Sequence, residues 1–145
     1  MSDRFVTFRL QGGLFAIPAA MIERIFDAPA TTPLPGAPEP VFGVVPHEGR
    51  LLALLDTARL LGLPEESGPG TALALTAPHQ GLGLVVPAPA EVEEGQQIEG
   101  GDEGDVLVTS GPARLLAVQG LIETLTKLVV TGLGSGSVKS SGETG

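Results

Sequence analysis

The chain has 145 residues, of which 17 are acidic and 8 are basic, so its formal net charge is −9. A surface of this charge repels a phosphate backbone, which argues against nucleic acid as a partner. The absence of Cys excludes disulfides, thiolate metal sites and cysteine nucleophiles. No apolar run approaches the roughly 20 residues that span a bilayer, and no signal-peptide segment follows the first residues, so we expect a cytoplasmic protein.

The composition also indicates many short elements. The chain contains 21 Gly and 13 Pro, a density of chain-bending residues that long helices do not tolerate. Hydrophobic residues make up 42% of the chain, but Trp and Tyr are absent and Phe supplies the only aromatic side chains. We therefore expect an aliphatic core surrounded by short strands and tight turns.

The N-terminal residues alternate between apolar and polar side chains, which is the pattern of a half-buried strand. This pattern predicts strands over residues 5–10 and 14–17, joined as a hairpin by a glycine turn. A helical turn is expected at residues 19–21, followed by a third strand at residues 22–26. The chain thus opens with three closely spaced strands.

A proline-rich stretch separates these strands from the next pair. Residues 28–40 contain five prolines, which remove backbone donors, so we predict a connector without regular structure. Two apolar runs follow at residues 41–45 and 51–55, and they predict strands on either side of a turn at residues 46–49. The polar and charged side chains of this turn are compatible with a plain hairpin connection or with a contact surface.

A short helix is predicted directly after this hairpin. Asp56 is expected to be its N-cap, with residues 57–61 as the helix. Gly62 and Pro64 follow at the positions where a helix commonly ends. This capping role is sufficient to explain Asp56, and we prefer it to a role in binding.

The second half of the chain begins after a linker at residues 65–70. Strands are predicted at residues 71–76, 82–86 and 90–92. Seven carboxylates then lie between Glu91 and Asp105 with no Lys or Arg among them. A stretch that repels itself in this way predicts a solvated loop.

The C-terminal part combines strands with a helix. Residues 105–109 and 113–118 are predicted to form another hairpin. From Leu121 to Val129 the apolar residues follow helical spacing, which predicts an amphipathic helix that covers the second group of strands. The Gly/Ser-rich residues 132–145 are expected to be a disordered tail.

The order of these elements predicts the fold class. Two groups of short strands with closely spaced turns, each followed by a helix, indicate a mainly β protein. The sequence pattern by itself is compatible with two small barrels or with a bent sandwich.

Four segments carry a family resemblance. They are "FVTFRLQGGLFAIPAAMIERIF", "PLPGAPEPVFGVVPHEGRLLALLDTARLLGLP" and, more weakly, "GLGLVVPAPAEV" and "ARLLAVQGLIETL". Over most of residues 4–130 the chain resembles the CheW family, the coupling proteins of bacterial chemosensory arrays. The second segment is the most specific, because the family pattern there is approximately Gly-Val-X-Asn-Leu-Arg-Gly, a hydrophobic strand, then Asp-Leu before a short helix. The chain keeps Gly43, Val44, Gly49 and Asp56 in register with this pattern.

The resemblance implies an architecture. It implies two five-stranded SH3-like barrels that enclose a groove, with a short connecting helix and a C-terminal helix. We expect a single domain over residues 1–131, with lobes near residues 1–65 and 66–131 that could exchange terminal elements.

The resemblance also implies a role without catalysis and without a cofactor. Proteins of this family bind the cytoplasmic tip of a chemoreceptor with one surface and the regulatory domain of a CheA-type histidine kinase with another. The expected protein is therefore a cytoplasmic scaffold in chemotaxis or motility signalling. It would be recruited to membrane-associated receptor arrays without entering the bilayer.

The turn departs from the family pattern. Where the family usually has Asn-Leu-Arg, this chain has Pro46, His47 and Glu48, so a guanidinium is replaced by a carboxylate. Arg24 stands where the family commonly has an acidic residue. We hypothesise that Arg24 and Glu48 form the family's ion pair with its charges exchanged, and that they present an inverted potential to the receptor.

These arguments predict two groups of protein-binding residues. The turn from Pro46 to Arg50 is favoured as a contact surface over a plain hairpin connection. The apolar groove is expected to contribute most of the buried area. The candidate binding residues are Ile22, Arg24, Val45, Pro46, His47, Glu48, Gly49, Arg50, Val85 and Val92.

Two alternatives to a complete adaptor remain open at this point. One alternative is a diverged family member that binds only one partner and so tunes or redirects an array. The charge change at the turn is the observation that suggests it. A small metal-dependent hydrolase is less favoured, because His47 and Glu48 have no further ligand at workable spacing and His79 lies in the other group of strands. We therefore predict no catalytic residue and no metal.

Overall fold

The computed structural model describes residues 3–32, 35–36, 40–64, 70–87, 89–98 and 104–127. Within these residues the chain forms ten strands, one 3₁₀ turn at Ala19–Met21, helix α1 at Thr57–Leu60, and a second helical segment, α2, at residues 118–127. The predicted tail at 132–145, most of the predicted linker at 65–70 and the end of the C-terminal helix lie outside the described residues. The strands are β1 Asp3–Leu10, β2 Gly13–Pro18, β3 Ile22–Asp27, β4 Val41–His47, β5 Arg50–Asp56, β6 Thr71–Leu75, β7 Leu82–Val86, β8 Glu91–Gln97, β9 Asp105–Val108 and β10 Gly111–Leu115.

The strands form two five-stranded sheets. The first is a closed barrel with the order β1-β2-β10-β9-β8, and the second has the order β3-β6-β7-β5-β4. Each sheet contains one parallel pair, β2 with β10 and β5 with β7, among antiparallel neighbours. The mainly β architecture is confirmed, but among the described strands only those of the first sheet close by hydrogen bonding. The expected second barrel is an open sheet whose edge strands are β3 and β4.

The two sheets do not divide the chain near residue 65. The barrel combines the N-terminal hairpin with β8, β9 and β10 from the second half of the chain, whereas the second sheet is built from residues 22–86. The exchange of terminal elements is therefore extensive. It follows from β1, which pairs with β2 along one edge and with β8 along the other.

The main hydrophobic core lies between the two sheets, where the sequence analysis expected a groove. Alternate residues of β1 and β2 point out of the barrel towards alternate residues of β6 and β7, because side chains of a strand alternate between faces. This filled interface replaces the predicted apolar cleft. Its buried members are Val6, Phe8, Leu10, Ile17, Leu55, Ala58, Leu60, Leu73, Leu75, Leu84, Val86, Leu116, Val118 and Leu121.

Each sheet also has a smaller core of its own. The barrel interior contains Phe5, Ala16, Val106, Val108 and Ala113. The second sheet encloses Val45, Leu52, Leu54, Ala72 and Ala74, with Phe26 and Val85 packed against them. These interiors hold few large side chains. Most of the stabilisation from burial, about 1.5–3 kcal/mol for each large aliphatic side chain, therefore lies between the sheets.

The helices cover this central core. Asp56 caps α1 as predicted, because its Oδ1 accepts a hydrogen bond from the Arg59 backbone N–H at 3.4 Å. In α2, Val118 and Leu121 are buried in the central core. The C-terminal helix thus packs at the junction of the two sheets, whereas the sequence analysis placed it over the second group of strands.

The acidic stretch after residue 90 is not a loop throughout, contrary to the prediction. Glu91–Gln97 forms β8, which closes the barrel against β1 and β9. The missing positive charge comes from another strand, since Arg4 on β1 lies directly opposite Glu94. Burial raises the pKa of Glu93, but hydrogen bonds from Thr7 and Ser110 outweigh this effect and hold its pKa below the ordinary value.

Candidate functional site

The candidate site is built on the hairpin of β4 and β5. Its turn has only two residues, Glu48 and Gly49, with φ angles of 50° and 80°, the geometry of a type I′ turn. Pro46 and His47 belong to β4 and pair with Leu51 and Arg50, so the predicted turn at 46–49 is too long. A short turn of this type holds its two residues rigidly at the tip of the hairpin.

Glu48 is an unusual residue for its position. A non-glycine residue at positive φ costs roughly 1 kcal/mol, and Asn or Gly commonly takes this place. The Glu48 carboxylate forms an ion pair with Arg24 on β3, with Nη2 and Oε2 2.9 Å apart. The hypothesis that Arg24 and Glu48 pair is therefore confirmed. Both side chains remain open to solvent, with exposed fractions of 59% and 45%.

A β-bulge on β3 brings a further carboxylate to this place. The register with β6 shifts between Ile22 and Arg24, so that Glu23 is the extra residue of the bulge. In a regular strand Glu23 and Arg24 would point to opposite faces, whereas a bulge re-aims a side chain. Carboxylate oxygens of Glu23 and Glu48 and a ring nitrogen of His47 all lie within 4.8 Å of one another. Glu23 was not among the predicted site residues, because regular strand alternation places its side chain on the face opposite to that of Arg24.

Phe26 fixes the imidazole of His47. The two rings stack with centroids 5.0 Å apart and planes 12° from parallel. The Nε2 atom of His47 is buried and has no hydrogen-bond partner. Phe26 and Arg24 are on β3 and their contacts are on β4 and its turn, so side chains join the two edge strands of the open sheet.

Two apolar side chains are exposed on the same hairpin, on the face opposite to that of His47. Leu51 is directly opposite the exposed Pro46 and is 67% exposed. Arg50 is also exposed and donates from Nη1 to Oε1 of Gln80 at 3.4 Å. Leu51 was not among the predicted binding residues, because a run of four leucines around one alanine does not show which of them face out.

The predicted groove residues do not form one surface. Val45 is only 2% exposed and belongs to the interior of the second sheet, so it is not available for binding. Ile22 packs against the central core, and Val85 packs against the interior of the second sheet. Val92 is 53% exposed but lies on β8 of the barrel. The reason is that the expected cleft between the sheets is filled.

A pocket of ≈350 Å³ borders Val85. Phe42, Leu54 and Asp56 also line it, together with the connector at residues 28–31. A much smaller pocket of ≈20 Å³ lies beside His47 and is lined by Glu23, Arg50 and Gln80, and not by His79. The small pocket does not join the two histidines, as the hydrolase alternative would require.

Comparison with known proteins decides the family. The profile of the CheW-like domain matches residues 4–121. The chain belongs to the CheW-like domain family. Among solved structures, this CheW-like chain is similar to the scaffolding protein TtCheW from Thermoanaerobacter tengcongensis, with a TM-score of 0.69 and 17% sequence identity over 83% of this chain and 88% of that one. The comparison with curated proteins returned no significant match.

The family resemblance found in the sequence is thus confirmed, and the likeness to TtCheW independently supports the CheW-like fold. The matched region runs from β1 to the beginning of α2 and includes the whole candidate site. Within the described part of the chain, no helix is long and apolar enough to cross a membrane.

Proposed function

We propose that this CheW-like protein is a non-catalytic adaptor that couples chemoreceptors to a CheA-type histidine kinase in bacterial chemotaxis or motility signalling. The match to the CheW-like domain over residues 4–121 carries this proposal. The partners we propose are the cytoplasmic tip of a receptor and the regulatory domain of the kinase. The protein would work in the cytoplasm and reach membrane-associated arrays through the receptor.

We propose that one of these partners docks on the hairpin surface, defined as Arg24, Pro46, Glu48, Arg50 and Leu51. This surface combines an exposed apolar pair, Pro46 and Leu51, with charged groups at the tip of the same hairpin. Such a combination is typical of protein interfaces, in which apolar contacts supply affinity and a polar rim supplies register. The rigid turn and the Arg24 ion pair reduce the entropy that the surface loses on binding.

A second proposal is that the protein binds only one of the two partners. The observation that favours it is the ion pair itself, whose charges are exchanged relative to the family pattern. An array component with the usual charges would meet an inverted potential at the hairpin, and like charges in contact disfavour binding. Such a protein would occupy receptor or kinase alone and would tune or redirect the array.

A titration distinguishes these two functions. The full chain is titrated with a receptor tip and, separately, with a kinase regulatory domain, at about 50 and 300 mM salt. Binding of both supports the complete adaptor, and binding of one supports the one-partner protein. Retention of neither partner at either salt concentration would overturn both proposals.

A further inference from the structure

We propose that Glu23, His47 and Glu48 form a binding site for a divalent transition-metal ion, with Zn²⁺ as the best match. The three residues come from two elements, the β3 bulge and the end of the β4–β5 hairpin. The sequence analysis predicted no metal, because His47 and Glu48 had no third ligand nearby in the chain. The bulge supplies that ligand from 24 residues earlier.

The spacing of the ligand atoms suits a small ion. One oxygen of each glutamate and one nitrogen of His47 lie within 4.8 Å of one another. Zn²⁺ binds His nitrogen at about 2.0–2.1 Å and carboxylate oxygen at about 2.0–2.2 Å, so its tetrahedral ligands stand roughly 3.3–3.6 Å apart. Small rotations of the two exposed glutamates would bring their oxygens to this spacing. Three protein ligands would leave a fourth position for water.

The environment of the His47 ring is a second observation about this cluster. Its Nε2 atom is buried without a hydrogen-bond partner, which is an unfavourable condition for a polar atom. Stacking on Phe26 holds the ring in place, so the nitrogens are pre-oriented. A metal ion would bind the ring nitrogen that lies near the two glutamates, and metal ligation of neutral imidazole is common.

The ligand set also selects the kind of ion. One imidazole and two carboxylates suit Zn²⁺, Ni²⁺ or Cu²⁺, whose affinities for nitrogen and oxygen sites are high. Mg²⁺ and Ca²⁺ prefer oxygen ligands only, and Ca²⁺ takes six to eight of them. We therefore expect little binding of these ions, and Mg²⁺ provides a control of equal charge.

Binding would change the hairpin surface, because the ion and Arg24 would share or compete for the Glu48 carboxylate. Glu23, Arg24 and Glu48 together carry one net negative charge, which a divalent ion would turn into one net positive charge. This consequence for docking rests on the proposed function, whereas the metal site itself does not.

The test uses the untagged full chain, which contains only two histidines. Zn²⁺ is added to the chelator-treated protein while the imidazole NMR signals are followed, and the stoichiometry is measured by calorimetry. We expect one Zn²⁺ per chain, shifts of the His47 signals before those of His79, and no shift with Mg²⁺. Equal shifts of both histidines, or none, would overturn the site. Since no partner is present, failure here is independent of the adaptor proposal.

Variants then identify the ligands. E23Q and H47Q should each weaken Zn²⁺ binding by at least about tenfold, whereas the matched control H79Q should leave it unchanged. R24Q removes the competing cation and should strengthen binding several-fold. Unchanged affinity in both E23Q and H47Q would contradict the proposal. If H47Q fails to fold, the NMR titration of the unaltered chain still decides.

Discussion

Arg24 and Glu48 form an ion pair across the open side of the second sheet, with Nη2 and Oε2 2.9 Å apart. Arg24 lies on β3 and Glu48 lies in the turn that follows β4, and these two strands are the edges of that sheet. The pair therefore acts where backbone hydrogen bonds would close a barrel. Exposed ion pairs stabilise proteins only by about 0.2–1 kcal/mol, so we assign its main effect to the orientation of the turn.

Exchange of the two charges should preserve the pair. R24E places a third carboxylate beside Glu23 and Glu48 and should destabilise the protein by about 1 kcal/mol at low salt. The double variant R24E/E48R should recover most of this loss, because it restores opposite charges. The free energy of unfolding of R24E and of R24E/E48R is measured by urea denaturation in the presence of a chelator. A double variant that is no more stable than R24E would contradict the pairing in solution.

Leu51 should contribute to partner binding. L51D places a charge in the centre of the hairpin surface and should weaken binding to the partner that docks there by about tenfold or more. The matched control is L107D, since Leu107 is also a strand residue, 46% exposed, but lies on the barrel. Affinity is measured by calorimetry with the same partner. Equal losses in both variants would argue against the hairpin as the docking surface.

Gly43 should be far less tolerant of substitution than Gly49. Gly43 has a φ of 149°, and an added Cβ would lie 2.8 Å from the carbonyl carbon of Thr32, whose backbone bonds to Val44 at 3.0 and 3.1 Å. We expect G43A to lower the free energy of unfolding by about 2–4 kcal/mol, from strain and the displaced connector.

The turn glycine is the control for this comparison. Gly49 has a φ of 80°, but an added Cβ would meet no atom within 4 Å. G49A should therefore cost only the strain of the left-handed conformation, about 1–2 kcal/mol. Chemical denaturation compares the two variants. Similar losses of unfolding free energy in G43A and G49A would show that the contact with Thr32 does not affect stability.

Glu93 should make stability depend on acid pH. Its pKa in the folded protein is below the ordinary value of about 4.3, since hydrogen bonds from Thr7 and Ser110 favour the carboxylate. A lowered folded pKa contributes stability that is present above the unfolded pKa and is lost as the pH falls through the folded pKa.

The variant E93Q removes this titrating group. We expect E93Q to lower stability at pH 7 and to reduce the loss of stability between about pH 5 and pH 3. E94Q removes a charge from the same strand and leaves the Thr7 and Ser110 bonds in place. Urea unfolding at several pH values measures the effect, and parallel curves for E93Q and the unaltered chain would contradict it.

Asp56 should stabilise α1 through its cap. D56A removes the acceptor for the Arg59 backbone N–H and should cost about 1–2 kcal/mol. D56N retains a capping oxygen and should cost less. Thermal unfolding of the two variants provides the measurement. Equal losses would assign the role of Asp56 to its charge, which also lies 3.9 Å from Nε of Arg59.

The sequence alone determined the strands whose signals are local. Alternation in β1, the glycine turn after it and the Asp56 cap each depend on neighbouring residues, and the structure places them where the pattern predicted. Only the beginning of β8 was predicted, at residues 90–92, because the carboxylates that follow repel one another locally, whereas the compensating Arg4 and Thr7 come from β1, more than 80 residues away.

The candidate site shows the same division. The resemblance to the CheW family pattern was sufficient to select Glu48 and its pairing with Arg24. The position of Glu23 beside His47 and the burial of Val45 were decided only by the tertiary structure. The bulge that brings Glu23 to His47 has no local sequence signal. The burial of Val45 depends on how the strands of the second sheet pack together. Both depend on contacts between residues that are distant in the chain.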